Sequence, residues 1–267
     1  MVATDMEMFT VLSERPSIVI VDPMLIGPRL DASNYRQDYL LNRSRIRDLP
    51  FGSRKLGSLL VKPSFRGKGF SDSTSGKTPV IKVRNVTHYG IRGPYDYTDG
   101  DKISINDRAW AHKGDVLLTV TGLGSSGKAD LFESDARMLL DGHIAILRCA
   151  SYCDNGFLKA FLSSSFGQRL SDQDTIGSTG QIELYGEYID KFDIPYPDPK
   201  IQAYIGDKVR LAEKCWEDAG KLFSEAQTMF VEAVRVSEFS PRSNNSNIIQ
   251  SKQMTDRLSA EFHLPKY

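Results

Sequence analysis

The feature that most constrains the fold is a long segment near the end of the chain with an unbroken helical period. Between Ile201 and Val236 there is no proline, and apolar or small residues recur at alternating spacings of four and three. This 3.5-residue period is typical of a helix in a coiled coil. At about 1.5 Å per residue, the helix is about 54 Å long. Lys208 interrupts an otherwise apolar or small row of Ile201, Ile205, Ala212, Cys215, Ala219, Leu222, Ala226, Met229, Ala233 and Val236.

The apolar face of this helix predicts that another surface covers it. Alanines at four positions of the row leave little side chain between neighbouring helices, and a second row of large residues widens the face. The second row is Leu211, Trp216, Phe223, Phe230 and Val234. The residues predicted to contact a partner helix are Ile205, Ala212, Ala219, Leu222, Ala226, Met229 and Ala233. The alternative is an ordinary terminal helix that packs on its own domain.

Residues 1–198 have the pattern of a mixed α/β domain. Short apolar runs bounded by turn residues predict strands, and the apolar spacing from Asn155 to Leu170 predicts a helix that Asp154 or Asn155 caps. The predicted strands are Ser17–Val21, Pro79–Val83, Asp115–Val120 and His143–Arg148, with an extended segment at Asp193–Pro197. The fold class is therefore a mixed α+β domain over 1–198, followed by a long coiled-coil helix over 199–238.

Residues 239–267 are predicted to be a linker and the start of a second unit. The stretch from Ser240 to Gln250 is polar, and the residues from Arg257 to Tyr267 repeat those from Arg29 to Tyr39 at four of eleven positions. This internal repeat predicts that a second copy of the unit begins there.

The composition predicts a soluble cytoplasmic protein. The chain has 267 residues and three cysteines, a sparse set that suits a reducing compartment. Its first residues lack the basic and apolar regions of a signal peptide, and no apolar run approaches the roughly 20 residues of a membrane helix.

Charge is segregated along the chain although the formal net charge is zero. From Leu41 to Gly114 there are 15 Lys and Arg against 6 Asp and Glu, while from Asp115 to Asp198 there are 6 against 13. The basic block is a candidate surface for a polyanion, and the acidic block excludes a uniformly basic coat. An unevenly charged, solvated surface is the alternative.

The loop from Gly122 to Lys128 resembles phosphate-binding motifs without completing one. It has the GxGxxG spacing after a strand, but no helical period follows it, and Ala129 stands where a phosphate loop needs Ser or Thr. A nucleotide-binding enzyme is therefore the alternative function, and the loop also suits a DNA phosphate.

No other motif predicts catalysis or a metal. Cys149 and Cys153 form one CxxxC pair, the four histidines are scattered, and a structural zinc site needs four ligands. We expect no metal, no cofactor and no catalytic residue in this chain.

A basic and aromatic segment from Lys82 to Arg92 is the candidate for base recognition. Arginine can bind guanine and asparagine can bind adenine through paired hydrogen bonds in the major groove. The candidate base contacts are Arg84, Asn85, His88 and Arg92. The candidate phosphate contacts are Lys62, Arg66, Lys68, Lys82 and Lys128. A strand edge protected by charged residues is the alternative.

An ordered series of segments resembles the specificity subunit of type I restriction-modification systems. Lys55–Leu60 and Pro79–Asn85 resemble the opening of a target recognition domain, and the stretch from Lys113 to Lys128 resembles the family's "kGDiLit..G..Gk" core. Ile176–Tyr185 resembles its Gly-Ser-Thr-Gln box, and Ile189–Pro197 resembles the exit into its conserved helix.

This resemblance implies a non-enzymatic DNA recognition subunit. It implies double-stranded DNA as ligand, and as partners a DNA adenine methyltransferase subunit, which brings S-adenosylmethionine, and a restriction/translocase subunit that uses ATP and Mg. It also implies that Ser178, Thr179 and Gln181 shape the junction between domain and helix or contact DNA. Only one target recognition domain is present, so the expected assembly is an antiparallel homodimer that recognises an inverted, interrupted site. A coiled-coil scaffold that does not bind DNA is the further alternative.

Overall fold

A computed structural model describes residues 9–14, 17–23, 26–27, 29–71, 76–87, 89–177 and 180–234, with the backbone alone for 9–14, 17 and 18. The helices are α1 Gln37–Arg47, α2 Asn155–Ser163, α3 Ser165–Asp174, α4 Gly186–Ile189 and α5 Pro199–Val234. The strands are β1 Phe9–Glu14, β2 Ser17–Val21, β3 Ser53–Lys55, β4 Phe65–Arg66, β5 Thr78–Ile81, β6 Val86–Thr87, β7 Gly90–Ile91, β8 Asp96–Thr98, β9 Val116–Thr119, β10 Ala129–Leu131, β11 Leu139–Leu140, β12 Ile144–Leu147 and β13 Asp193–Pro195.

A four-stranded sheet in the order β10-β9-β12-β4 forms the centre of the domain. Strand β9 is antiparallel to both of its neighbours, with Leu118 opposite Ala129 on one side and Ala145 on the other. A three-stranded sheet, β11-β5-β8, and three strand pairs, β1-β2, β13-β3 and β6-β7, complete the sheets in the described part of the chain. The predicted mixed α+β class with a long helix after it is confirmed.

The central sheet is buried on both faces, which explains why β9 is apolar at consecutive positions. Val116 and Leu118 pack with Leu158 and Leu162 of α2 in the larger core cluster. Leu117, between them in sequence, packs in a second cluster on the opposite face of the strand. Full burial on both faces accounts for an uninterrupted apolar run in a short strand.

Helix α5 follows the extended residues Asp193–Pro195 and begins at Pro199, where the missing N–H of proline costs nothing. The chain divides into two units, Met1–Trp216 and Glu217–Tyr267, so the first half of α5 belongs to the same unit as the sheets. Gln202 and Gly206 are buried, and Ile205 and Val209 pack against the larger core cluster. The predicted domain boundary at residue 198 thus marks the start of the helix, while the first unit extends to Trp216. Residues 235–238 and the linker and repeat predicted over 239–267 lie outside the described residues.

One residue of the predicted partner face also packs on its own domain. Ile205 is half-buried against the larger core cluster, so the domain already covers part of its side chain. Ala212 is exposed. The remaining predicted positions are exposed, namely Ala219, Leu222, Ala226, Met229 and Ala233.

Candidate nucleic-acid interface

The Gly122 loop, residues 122–128, joins two antiparallel strands. It connects β9 to β10, and Gly127 N–H and Lys128 N–H donate to the carbonyl and hydroxyl oxygens of Thr119 at 2.8 and 3.0 Å. Positive φ angles of 90° at Gly122 and 88° at Gly127 allow this tight reversal. Since strand β10 follows the loop directly, the nucleotide-binding alternative lacks the strand–loop–helix geometry it requires.

The Gly122 loop lies beside the segment 176–185 that resembles the family box. Gly122 N–H donates to the Ile182 carbonyl at 3.2 Å, and Leu184 N–H donates to the Val120 carbonyl at 2.8 Å. Lys128 is half-buried and lines a cleft of about 410 Å³ together with Ser126, Gln168, Asp172 and Ile182. Gln181 is exposed next to Ile182. Ser178 and Thr179 lie outside the described residues.

Arg66 binds this same segment from strand β4. Its guanidinium forms an ion pair with Glu183 and donates to the Leu184 carbonyl at 2.9 Å. The Arg66 guanidinium therefore lowers the pKa of the Glu183 carboxyl below its ordinary value. Arg66 therefore connects β4 to the segment 176–185. A phosphate would have to compete with Glu183 for the Arg66 guanidinium.

Lys82 and Arg84 share one carboxylate. Lys82 Nζ lies 2.7 Å from Asp96, and Arg84 donates to the other oxygen of the same side chain. Hydrogen bonds from Lys82 and then Arg84 lower the pKa of Asp96. Asp96 and Lys82 are half-buried, whereas Arg84 is exposed, so a phosphate would have to compete with Asp96 for Arg84.

Asn85 is a structural residue, and the prediction that it contacts a base is wrong for this conformation. It is 1% exposed, and its side-chain amide donates to the carbonyls of Arg92 and Pro94 at 2.7 and 2.9 Å. Its oxygen accepts the Lys82 N–H at 2.9 Å. Both donors are used inside the fold, so none remains for an adenine edge.

Arg92 lies beside helix α5. Its Nε donates to the Tyr89 carbonyl at 2.8 Å, and its guanidinium carbon is 5.3 Å from the centre of the Trp216 ring. Tyr89 and Trp216 pack with their ring centres 5.2 Å apart. The exposed Arg92 and these two half-exposed rings form a cationic and aromatic patch. His88 lies outside the described residues.

The other predicted phosphate contacts are exposed and lie apart from these groups. Lys62 places its ammonium 3.7 Å from the centre of the Phe65 ring. Lys68 forms an ion pair with Asp107, which lowers the pKa of that carboxyl. Among the described residues, Lys82 and Arg84 meet at Asp96, and Arg66 and Lys128 both lie at the segment 176–185.

Asp115, inside the segment that resembles the family core, has a structural role. It is 1% exposed, and its two oxygens accept paired hydrogen bonds from Arg148 at 2.7 and 2.8 Å. One oxygen also accepts the His112 N–H at 2.9 Å, which closes the turn before β9. A turn position directly before a buried strand is the sequence signal for this role.

Charge counting missed the cleft around Trp110. Lys77, Lys102 and Arg137 line it, and Arg137 belongs to the acidic block of the sequence. A block count assigns charge by position along the chain, whereas β11 pairs with β5 and places Arg137 near Lys77.

No cluster of three potential metal ligands occurs among the described residues, and none of their helices is long and apolar enough to cross a membrane. Cys149 and Cys153 are free thiols, and their mutual hydrogen bond raises the pKa of Cys149.

Solved structures similar to this chain include subunits of type I restriction-modification systems. The S subunit from M. genitalium aligns with a TM-score of 0.49 and 17% identity, over 66% of this chain and 42% of that chain. The HsdS subunit from Thermoanaerobacter tengcongensis aligns with a TM-score of 0.43 and 17% identity, over 70% and 46%. A chain from a structure titled for complex assembly and conformational transition of the type I R-M system aligns with a TM-score of 0.45 and 17% identity, over 74% and 50%.

This chain therefore spans about half the length of those proteins, or less. No protein-family model matches the chain, and no curated protein matches it.

Proposed function

We propose that this protein is the DNA recognition subunit of a type I restriction-modification complex. It recognises one half of a bipartite target and docks methyltransferase subunits as an antiparallel homodimer. It catalyses no reaction itself. The methyltransferase brings S-adenosylmethionine, and the restriction subunit uses ATP and Mg. The observation that carries the proposal is the ordered series of family-like segments that leads into a helix of 36 residues with an exposed apolar face.

The folded positions of these segments support the proposal. Lys55–Leu60 ends at the Leu60–Cys149 bridge, and the Gly122 loop and the segment 176–185 are hydrogen-bonded neighbours. Segments far apart in sequence thus belong to one scaffold that supports the exposed loops. Such a scaffold with exposed loops suits a domain that recognises DNA sequence.

The second half of α5 supports the proposed assembly. Leu222, Phe223, Met229 and Phe230 are 64–69% exposed. Apolar surface of this extent on one helix is typical of a contact with another protein. A two-fold dimer would place two recognition domains in inverted orientation, and a helix of about 54 Å covers roughly one and a half turns of B-DNA.

Ion pairing favours a second candidate, a scaffold that does not bind DNA. Arg66, Lys68, Lys82 and Arg84 each already contact a carboxylate of the domain. Phosphates would have to compete with these acids, whereas a scaffold would leave the ion pairs in place.

Selection from a random duplex library separates the two candidates. The purified chain is mixed with an adenine methyltransferase subunit from a type I system, and retained duplexes are sequenced. We expect enrichment of two identical inverted half-sites at fixed spacing, with the methyltransferase alone as control. A library that shows no enriched sequence in the presence of both proteins would exclude DNA recognition and favour the scaffold.

A further inference from the structure

The Trp110 pocket is a cleft of about 740 Å³ that no motif in the sequence predicts. We define it by its lining residues Lys77, Thr78, Gly100, Asp101, Lys102, Ile103, Ser104, Ile105, Trp110 and Arg137. Gly100 packs closely on Thr78 in this lining, because a Cβ there would lie 2.2 Å from the Thr78 hydroxyl oxygen. The indole N–H of Trp110 donates to the Ser104 carbonyl at 2.8 Å, which holds the ring against another lining residue.

The charge of the Trp110 pocket is positive. Three of its lining residues are cations, against the single lining carboxylate Asp101. Lys102 pairs with Asp99 at 2.6 Å, but neither Lys77 nor Arg137 has an ion-pair partner recorded in the part of the chain that the structure describes. Two cations that share a cleft and have no carboxylate partner favour the binding of an anion there.

Arg137 is held in position for such an anion. Its guanidinium carbon lies 4.3 Å from the centre of the Trp110 ring. Stacking on an indole uses a face of the guanidinium and leaves its edge N–H groups free to donate. A planar guanidinium held in this way suits the paired oxygens of a phosphate.

The walls of the pocket exclude a stacked nucleobase. Trp110 is 6% exposed and Arg137 covers its ring, so no aromatic surface remains for a base. The pocket also adjoins a predicted phosphate contact, because Lys68 pairs with Asp107, whose backbone carbonyl accepts the backbone N–H of Trp110 at 3.3 Å. A phosphate group of an extended polyanion fits these constraints.

We propose that the Trp110 pocket binds a phosphate of the DNA backbone through Arg137 and Lys77. This inference rests on the proposed DNA-binding function and adds to it a contact surface outside the basic and aromatic segment. The contact is independent of base sequence, so its loss weakens binding to every duplex by a similar factor.

The test is the salt dependence of duplex binding by a double variant, Arg137→Gln with Lys77→Gln. Binding of the full chain with methyltransferase to a fluorescent mixed-sequence duplex is measured by anisotropy between low and physiological salt. We expect the log–log slope to become shallower by about 0.9 for each chain on the duplex, since one phosphate contact per chain is lost.

The matched control is Arg54→Gln with Lys191→Gln. Arg54 stacks on Tyr196 at 3.8 Å and Lys191 lies 5.5 Å from the Tyr188 ring, as cations on aromatic rings outside the pocket. The control is expected to keep the wild-type slope. Thermal unfolding of both variants establishes that they fold equally well.

Three outcomes overturn the inference. If wild type binds the duplex and the double variant has the same slope, the pocket proposal fails while the proposed function stands. If wild type with methyltransferase binds no duplex, both fail. If the double variant keeps its slope but loses retention on immobilised poly-glutamate, the pocket is a contact for an acidic protein surface.

Discussion

Asp130 is a carboxylate in an environment that disfavours its charged form. It is fully buried in β10, and one carboxylate oxygen has no hydrogen-bond partner. Lys159 of α2 lies 3.6 Å from the other oxygen and 3.4 Å from Glu213 of α5, so one ammonium serves two carboxylates. Burial, and next the nearby Glu213, raise the pKa of Asp130 to about 7.

We predict that Asp130 makes the fold less stable as pH rises. Its pKa is raised from 3.8 in the unfolded chain to about 7, so its stabilising effect is complete below pH 4 and is lost between about pH 4 and 7. The loss is on the order of 4 kcal/mol at most. Asp130→Asn should remove this dependence, which urea unfolding at pH 5 and pH 8 and one protein concentration measures. Equal pH dependence in wild type and variant would contradict the assignment.

Asp193 should give the opposite dependence of stability on pH. Burial alone would raise its pKa, but ion pairs with Lys55 and Arg47 hold the pKa below its ordinary value. Its contribution to the stability of the fold is therefore present above pH 4 and is lost as pH falls through the lowered pKa. Asp193→Asn should cost about 1–3 kcal/mol at pH 7, and urea unfolding should show this cost shrinking as pH falls below 4.

The residue types predicted which chemical groups the candidate site contains better than they predicted what each side chain contacts. Arg66, Lys82 and Arg84 are cations of the basic block, but Arg66 pairs with Glu183, which is distant in sequence, and Lys82 and Arg84 pair with Asp96. Asn85 has the side chain for adenine, yet it closes the turn before β6. A single sequence gives donors and acceptors, while only the fold shows which of them are already used.

At the scale of elements, continuous apolar patterns were the most reliable guide. Strands β9 and β12 lie within the predicted segments, and α5 begins at Pro199, two residues before the predicted period. The helix predicted from Asn155 to Leu170 is instead two helices. Ser164 is extended between them and its hydroxyl accepts the Gly167 N–H at 3.4 Å, so it caps α3 as Asp154 caps α2. Apolar spacing continued through this break because both helices face the same core.

The packing of α2 on α5 depends on two glycines. A Cβ on Gly206 would lie 1.9 Å from Asp154 Oδ1, and a Cβ on Gly156 would lie 2.8 Å from the Gly206 Cα. Asp154 cannot move aside freely, because Arg210 donates to its carboxylate at 3.0 Å and the same carboxylate caps α2. The close approach of the two helices therefore requires glycine at both positions.

We predict opposite effects of alanine at the two glycines inside α5. Gly206→Ala should destabilise the protein by about 1–3 kcal/mol, because the added methyl group clashes with Asp154. Gly220→Ala meets no atom within 4 Å and should stabilise the helix by up to about 1 kcal/mol. Urea unfolding of both variants measures the contrast. Stabilisation by both substitutions would show that α2 and α5 do not approach as closely as described.

At the scale of the whole molecule, neither the net charge nor the count of charges in each sequence block shows where positive charge lies on the fold. A formal net charge of zero conceals the basic block over 41–114, and the block count in turn conceals Arg137 beside Lys77. Ion pairs between the two blocks, such as Arg66 with Glu183, consume part of the predicted positive surface. A polyanion would therefore bind at the cations that remain, of which Lys62, Lys128 and Arg137 are examples.

The exposed half of α5 leads to the last prediction, which concerns association. Ala219, Ala226 and Ala233 recur every seven residues, with Leu222 and Met229 on one side of this row and Phe223 and Phe230 on the other. Small residues between two rows of large ones let a second copy approach closely and interdigitate, and a two-fold antiparallel pair places equivalent residues opposite each other. We therefore expect a dimer of the 29.9 kDa chain in light scattering at micromolar concentration.

Ala226→Glu should convert this dimer to monomer. The carboxylate would be buried at the centre of the contact without a partner, which costs several kcal/mol and weakens association by at least about 100-fold. Thr228→Glu introduces the same charge on the opposite side of the helix and should leave the mass unchanged. A monomeric wild type, or equal masses for the two variants, would show that the alanine row is not the surface that joins two copies.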